Sequence, residues 1–290
     1  MTRNSKVDQR NLWLFFILAF VWTWLCQLPR VLSSAGFFEL PGFLFSVLGY
    51  VAMFGPAVAA FALTSANEGR EGVTRLWKRG WECGFEKRWL LPILLLMPAL
   101  AGLTALLMRT VGVALPGEYS LSPAMVVPVM LLIFLLNSLP EEFGWRGYAL
   151  DRLQERWGAL TSSLILGLLW GVWHLPLHFI TGTTQQAIPV WQFIIQSVLL
   201  AVLYTWLHNN TGGSVLVAAL FHTVSNISGA VVPYWTSSEG RWLSFGLLLI
   251  VATVVALVWG PDTLVRGQKA RVSRLAGAAQ APQSFERRDE

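Results

Sequence analysis

Glu141 and Glu142 are the only acids within the apolar runs of this 290-residue chain, and three of its four histidines, His174, His178 and His222, lie in such runs as well. An ionisable group inside a hydrocarbon layer costs at least about 2.5 kcal/mol near its centre, so each such residue is first a functional hypothesis. Spacing sorts them. Glu142 and Arg146 are four apart and share a helix face, as do His222 and Asn226. Arg146 can therefore neutralise Glu142, whereas Glu141, one residue earlier, points about 100° away and is free to face the histidines. That leaves one structural and one reactive carboxylate. His174 and His178 have the spacing of half a helical zinc site. However, Pro176 lies between them and His178 stands near the membrane surface, where an interfacial or hydrogen-bonding role fits it better.

The elements that must position these groups are membrane-spanning helices. The chain is 54% apolar and 13% charged, with a mean hydropathy of +0.54, whereas soluble domains carry roughly a quarter charged residues. Apolar runs fall at 12–28, 43–63, 90–108, 125–150, 159–180, 188–207, 214–232 and 242–259. The fold expected is all-α: a polytopic membrane protein of about eight transmembrane helices enclosing a membrane-embedded polar cavity. Residues 1–10 read as a short N-terminal segment, 11–260 as one transmembrane domain with its polar core at 141–226, and 261–290 as a disordered tail.

Eight spans put both termini on one side, and that side receives 18 of the 21 Lys and Arg residues, leaving Arg30, Arg109 and Arg241 for the other. The positive-inside rule makes the rich side cytoplasmic. The expected location is a cell membrane, bacterial inner or plasma, crossed several times. Arg3, Lys6 and Arg10 before an apolar run imitate a signal peptide, but Pro29 and Arg30 separate that run from the small residues after it, so it reads as a first span. The loop 67–89, with Arg75, Trp77, Lys78, Arg79 and Trp81, reads as a topogenic loop at the headgroups. Cys26 and Cys83 differ too much in environment to suggest a bridge. The net charge of +5 lies beside apolar spans and not on a folded polar face, which argues against nucleic acid and leaves the lipid bilayer as the partner.

A rise of about 1.5 Å per residue gives the depths. Counted from the turn near 156–158, Glu141 lies about 22 Å up the fourth span and His174 about 24 Å up the fifth; His222 and Asn226 lie about 14 and 20 Å along the seventh. Acid, imidazole and amide thus reach one layer. An alternative local geometry is open at Ser138-Leu139-Pro140-Glu141, which also reads as a capping box starting a new helix. Even otherwise, Pro140 should kink a continuous helix. Trp157, Trp170, Trp173 and Trp191 read as packing and belt residues.

The residues resemble the CAAX prenyl protease type II and bacteriocin-processing (CPBP) family of intramembrane proteases. The resemblance rests on Glu141-Glu142 with Arg146 four further on, on an aromatic residue four before His174, and on His222 four before Asn226. Each motif is weak alone and the ordered set is strong. Trp170 stands where phenylalanine is usual, a departure expected to alter packing bulk more than chemistry. The resemblance implies hydrolysis of a peptide bond in a membrane-associated protein or peptide. Glu141 would act as general base, His174 would hold the water, His222 and Asn226 would donate to the oxyanion, and Glu142 with Arg146 would brace the helix. A metalloprotease form is also open, with Glu141, His174 and His222 holding zinc and water in the fourth position, but no HExxH signature is present and the metal-free form is slightly favoured. The cofactor is thus none or zinc. Rival functions are a bacteriocin-immunity or scaffold protein without catalysis, and a proton-coupled transporter built on the same buried groups. Neither the substrate nor an oligomeric state is written in the pattern.

Overall fold

The computed structural model describes residues 3–114 and 123–266, and side chains from residue 10 onward apart from residue 123. Among these residues the chain is helical throughout, without strands. The helices are α1 (Arg3–Ser34), α2 (Gly42–Met53), α3 (Gly55–Arg79), α4 (Lys87–Thr110), α5 (Ala124–Gln154), α6 (Ala159–Trp173), α7 (Val190–Asn210), α8 (Val215–Val231) and α9 (Ser238–Trp259). All eight apolar runs are thus helical. Six helices are long and apolar enough to cross a membrane; α2 and α3, bent by 45°, make a seventh crossing if taken as one. The remaining run, α8, is a shorter apolar helix.

Burial explains the short one. Val215, Val217, Ala218, Ala219 and Phe221 are fully buried, and α8 packs between α4, α5 and α7. A helix wrapped by others need not match the hydrocarbon thickness itself. Its start is fixed by Gly212 and Gly213, both at positive φ, and by Ser214, whose Oγ accepts from Val217 N at 3.3 Å as an N-cap. The peripheral helices instead turn large apolar side chains outward, among them Leu25, Leu91, Val127 and Leu257, as hydrocarbon solvent demands.

α5 carries the two glutamates, and it is one helix. Ser138 has helical φ −65° and ψ −50° with no side-chain cap bond, so the capping-box geometry is not adopted. The proline is accommodated by a π-helical stretch, Phe134–Ser138, immediately before it, and a second follows at Trp145–Leu150. Widened turns release the carbonyl that Pro140 would otherwise strike, so the helix absorbs the residue without ending. Gly144 lets α5 press against α3, since a Cβ there would lie 2.6 Å from Pro56 O.

Two other expectations change. The loop 67–89 is largely the end of α3, and Arg79 is a structural latch: its guanidinium donates to Gly213 O at 2.8 and 3.0 Å, to Gly147 O at 3.0 Å and to Asp151 Oδ2 at 2.7 Å. His208 Nε2 completes the latch 3.1 Å from Asp151 Oδ1. Trp77 stacks on Phe143 at 5.7 Å. Of the tail expected from 261 onward, residues 267–290 lie outside the described residues, whereas 261–266 are tied to the helices by backbone hydrogen bonds and by the buried Leu264. Ala159 N donates to Asp262 O at 2.8 Å, Asn210 Nδ2 to Leu264 O at 2.7 Å, and the Leu264 side chain is buried. Orphan amides at the start of α6 recruit that backbone as their cap.

Candidate active site

The polar layer is built where α5, α6 and α8 meet. α5 presents Asn137, Glu141, Glu142 and Arg146 in successive turns; α8, antiparallel to it, presents Asn226, Thr223 and His222; α6 presents Trp170 and His174. Small residues bring the helices together, as at Gly167 of α6, where a Cβ would lie 3.0 Å from Ser197 O of α7.

Two hydrogen-bonded sets result. In the first, Glu141 Oε1 accepts from Asn137 Nδ2 at 2.7 Å and Glu141 Oε2 accepts from the Trp170 indole at 2.9 Å. Asn137 Oδ1 in turn accepts from Asn226 Nδ2 at 2.8 Å. Glu141 is 1% exposed, Asn137 is half-buried and Asn226 is exposed, so this chain runs from the interior to the surface. In the second, Arg146 Nη1 donates to both oxygens of Glu142 at 2.9 and 3.0 Å, and His222 Nδ1 lies 2.9 Å from Glu142 Oε1. The guanidinium carbon lies 4.0 Å from the Tyr204 ring centre and 5.0 Å from that of Trp170, two rings set nearly perpendicular to each other. Its Nε and Nη2 are buried without partners, and the aromatic faces stand in for the missing acceptors. Beside them, Thr223 Oγ1 of α8 donates to Ser138 Oγ of α5 at 3.0 Å, a further link between the two helices.

The sequence places Glu142 and Arg146 together, and they are together. It has Glu141 facing the histidines; among the described residues no hydrogen bond joins Glu141 to His174 or His222, and the Trp170 ring whose indole bonds Glu141 lies 5.5 Å from His174 and 5.7 Å from His222. The imidazole of His222 goes to Glu142, which therefore anchors an arginine and a histidine at once. Trp170, one turn before His174, is the group of α6 that meets Glu141 directly. This overturns the expectation that tryptophan in place of phenylalanine matters only for bulk, because phenylalanine has no N–H to give the carboxylate. Sequence reasoning missed Asn137, although its spacing of four from Glu141 was a usable signal, and it missed Tyr204 beneath Arg146.

His174 ends α6, and a 3-10 turn, Leu175–Phe179, follows. The α-helical face that would have carried His174 and His178 together is lost there. His174 Nδ1 is 2.8 Å from Trp170 O; a carbonyl only accepts, so Nδ1 carries the proton and a neutral ring leaves Nε2 as an acceptor. The ring is partly exposed and packs edge-on against Trp173 at 4.7 Å and Phe193 at 5.2 Å. His178 is half-buried against Phe193 at 5.2 Å. Among the described residues no three His, Cys, Asp or Glu side chains are grouped so as to hold a metal ion. As arranged, Glu141, with both oxygens taken by N–H donors, His174 and His222 do not form the three-ligand set that the zinc alternative needs.

A membrane-embedded carboxylate beside a second carboxylate, flanked by histidines and an asparagine on three helices, is the arrangement of a membrane protein with buried acid–base groups. Residues 123–228, which hold all of it, match the family described as type II CAAX prenyl endopeptidase Rce1-like. A curated relative, the CAAX prenyl protease 2 of Methanococcus maripaludis, is 30% identical over 176 residues, covering 57% of this chain and 64% of the relative. The chain thus spans less than two thirds of that relative's length. The resemblance to the type II CAAX prenyl endopeptidase family that the motifs carry is shown over this segment.

Proposed function

We propose that the chain is an intramembrane endopeptidase that hydrolyses a peptide bond in a membrane-associated protein or peptide of the CAAX type. The observation that carries this reading is Glu141, a carboxylate closed off inside the helices yet linked through Asn137 to the exposed Asn226. The match over residues 123–228 and the printed name of the relative support it.

In the proposed reaction a water attacks the peptide carbonyl carbon while Glu141 takes its proton, and the carbonyl π electrons move onto oxygen. The oxyanion electron pair then re-forms the C=O bond as the C–N bond breaks, and Glu141 returns the proton to the leaving nitrogen, giving a carboxylic acid and an amine, between which a proton passes on release. His174 holds the water through Nε2. Asn226 donates to the oxyanion once its amide leaves Asn137, and His222 does so through Nε2 when both ring nitrogens carry protons. Glu142 and Arg146 hold His222 in place. Asn226→Ala removes one proposed donor, and cleavage should slow by roughly 10²- to 10³-fold. A rate within a few-fold of the parent would remove Asn226 from the oxyanion site. We propose the metal-free form: purified protein should carry substoichiometric zinc and keep its activity in chelator, and chelator-sensitive activity restored by zinc would reverse that choice.

We further propose that both termini face the cytoplasm. A C-terminal fluorescent-protein fusion should be bright and a C-terminal phosphatase fusion inactive. The opposite pair of results would sink the eight-span topology.

A further inference from the structure

Three helices end together at one membrane boundary: α4 begins there, and α7 and α9 finish there. Between them lies a cavity of ≈ 420 Å³ lined by Arg88, Trp89, Pro92, Asn210, Trp259 and Arg266. It is remote from the Glu141 layer and takes no part in the proposed hydrolysis. We propose that it binds the headgroup phosphate of an anionic phospholipid.

Four features converge on that ligand. Arg88 and Arg266 both line the cavity and supply positive charge to it. Arg88 Nε is 2.9 Å from Glu86 Oε2, an exposed pair. Next, the first turn of the helix beginning at this cavity holds no acid, and Glu86 at its N-cap position makes no side-chain cap but pairs with Arg88, so the N-terminal amides are left without a side-chain acceptor. Third, the Trp89 indole N–H is buried and has no hydrogen-bond partner, although Trp89 is only 8% exposed. The Trp206 indole behind it, 5.2 Å away ring to ring, is unpartnered too. Buried N–H groups are rarely left so. Trp259, 5.0 Å from Trp206, completes an aromatic cluster of the kind that sits at headgroup level.

Lipid is favoured over free phosphate by what adjoins the cavity. Leu91, Leu94 and Leu95 on α4 and Leu257 and Val258 on α9 are exposed and run away from it into the hydrocarbon layer. Acyl chains attached to a phosphate held at Arg88 and Arg266 would lie along them. Asn210 cannot offer its amide, since Nδ2 already donates to Trp206 O and Leu264 O. It holds the Leu264 segment, and thereby Arg266, in the wall.

The test uses the full chain purified in an uncharged detergent and titrated by calorimetry with dioctanoyl phosphatidylglycerol, dioctanoyl phosphatidylcholine or inorganic phosphate. Phosphatidylglycerol should bind saturably, one per chain, at least about tenfold tighter than the other two. The pair Arg88→Ala with Arg266→Ala should weaken it roughly tenfold or more, each basic group near an anionic surface contributing severalfold. Trp89→Phe, which keeps an aromatic side chain but removes the indole N–H with its five-membered ring, should weaken it severalfold, with the folded state checked by elution volume. Arg75→Ala, an exposed arginine on α3, should change nothing. Equal binding of phosphatidylcholine, equal binding of free phosphate, or equal weakening by Arg75→Ala would each overturn the proposal. So would full binding by both the double variant and Trp89→Phe.

Discussion

Purified Glu141→Gln protein is expected to insert and fold as the parent does and to lose roughly 10²- to 10⁴-fold of its cleavage rate, the span that a positioned acid–base group contributes. The fold should survive because the amide can be accommodated. Glu141 accepts from Asn137 and from Trp170, and a glutamine can keep its oxygen on the indole. Its NH₂ would then face the Asn137 NH₂. Turning over the Asn137 amide presents Oδ1 instead, and turning over Asn226 restores their mutual bond, so three amides re-register with no donor left facing a donor. What is lost is the ability to take a proton from water. Elution volume and thermal midpoint check the fold, and cleavage of a membrane-associated peptide in detergent checks the rate. Cleavage at the parental rate sinks the assignment of Glu141 as base. A cellular phenotype that persists in a folded, cleavage-dead variant would instead favour the immunity or scaffold function.

The helical architecture was legible because a bilayer imposes its pattern on composition: each apolar run became a helix, and the short, buried α8 was found by hydrophobicity alone. Pairing within a helix was legible too, since four-residue spacing fixes a shared face, and Glu142 with Arg146 follows from it. Contacts between helices were not. A depth count of 1.5 Å per residue cannot resolve one turn, and one turn decides whether Glu141 meets Trp170 or His174. The widened turns around Pro140 rotate everything downstream relative to a regular helix, which sets Glu141 on the Trp170 indole and brings Glu142 to His222. Arg79 was misread for a different reason. Its charge fits a topogenic loop, but its carbonyl acceptors, Gly213 O and Gly147 O, are backbone atoms that no side-chain pattern reveals.

The bond between His222 and Glu142 changes the outcome expected for Arg146→Ala. That substitution leaves Glu142, fully buried, with only an imidazole beside it in place of the guanidinium whose Nη1 bonds both its oxygens. Breaking a buried ion pair by removing one partner costs about 3–5 kcal/mol, against a whole-domain stability of about 5–15 kcal/mol. Little folded protein should accumulate. Arg146→Lys should also fall short, because an ammonium has no planar face to set against the Tyr204 and Trp170 rings and is more strongly hydrated than a guanidinium, so that burying it costs more. Adding Glu142→Ala to Arg146→Ala removes the stranded charge and should restore part of the yield. Recovery stays incomplete, since His222 Nδ1 then loses its acceptor and the two aromatic faces close on empty volume. The measurement is the yield of monodisperse protein and its thermal midpoint in the same detergent for parent, both singles and the double. The pairing is supported if the double variant is the more stable of the two alanine proteins. Equal loss in Arg146→Ala and in the double variant would show that Glu142 is not what Arg146 stabilises, and its role would then lie in packing against Tyr204 and Trp170.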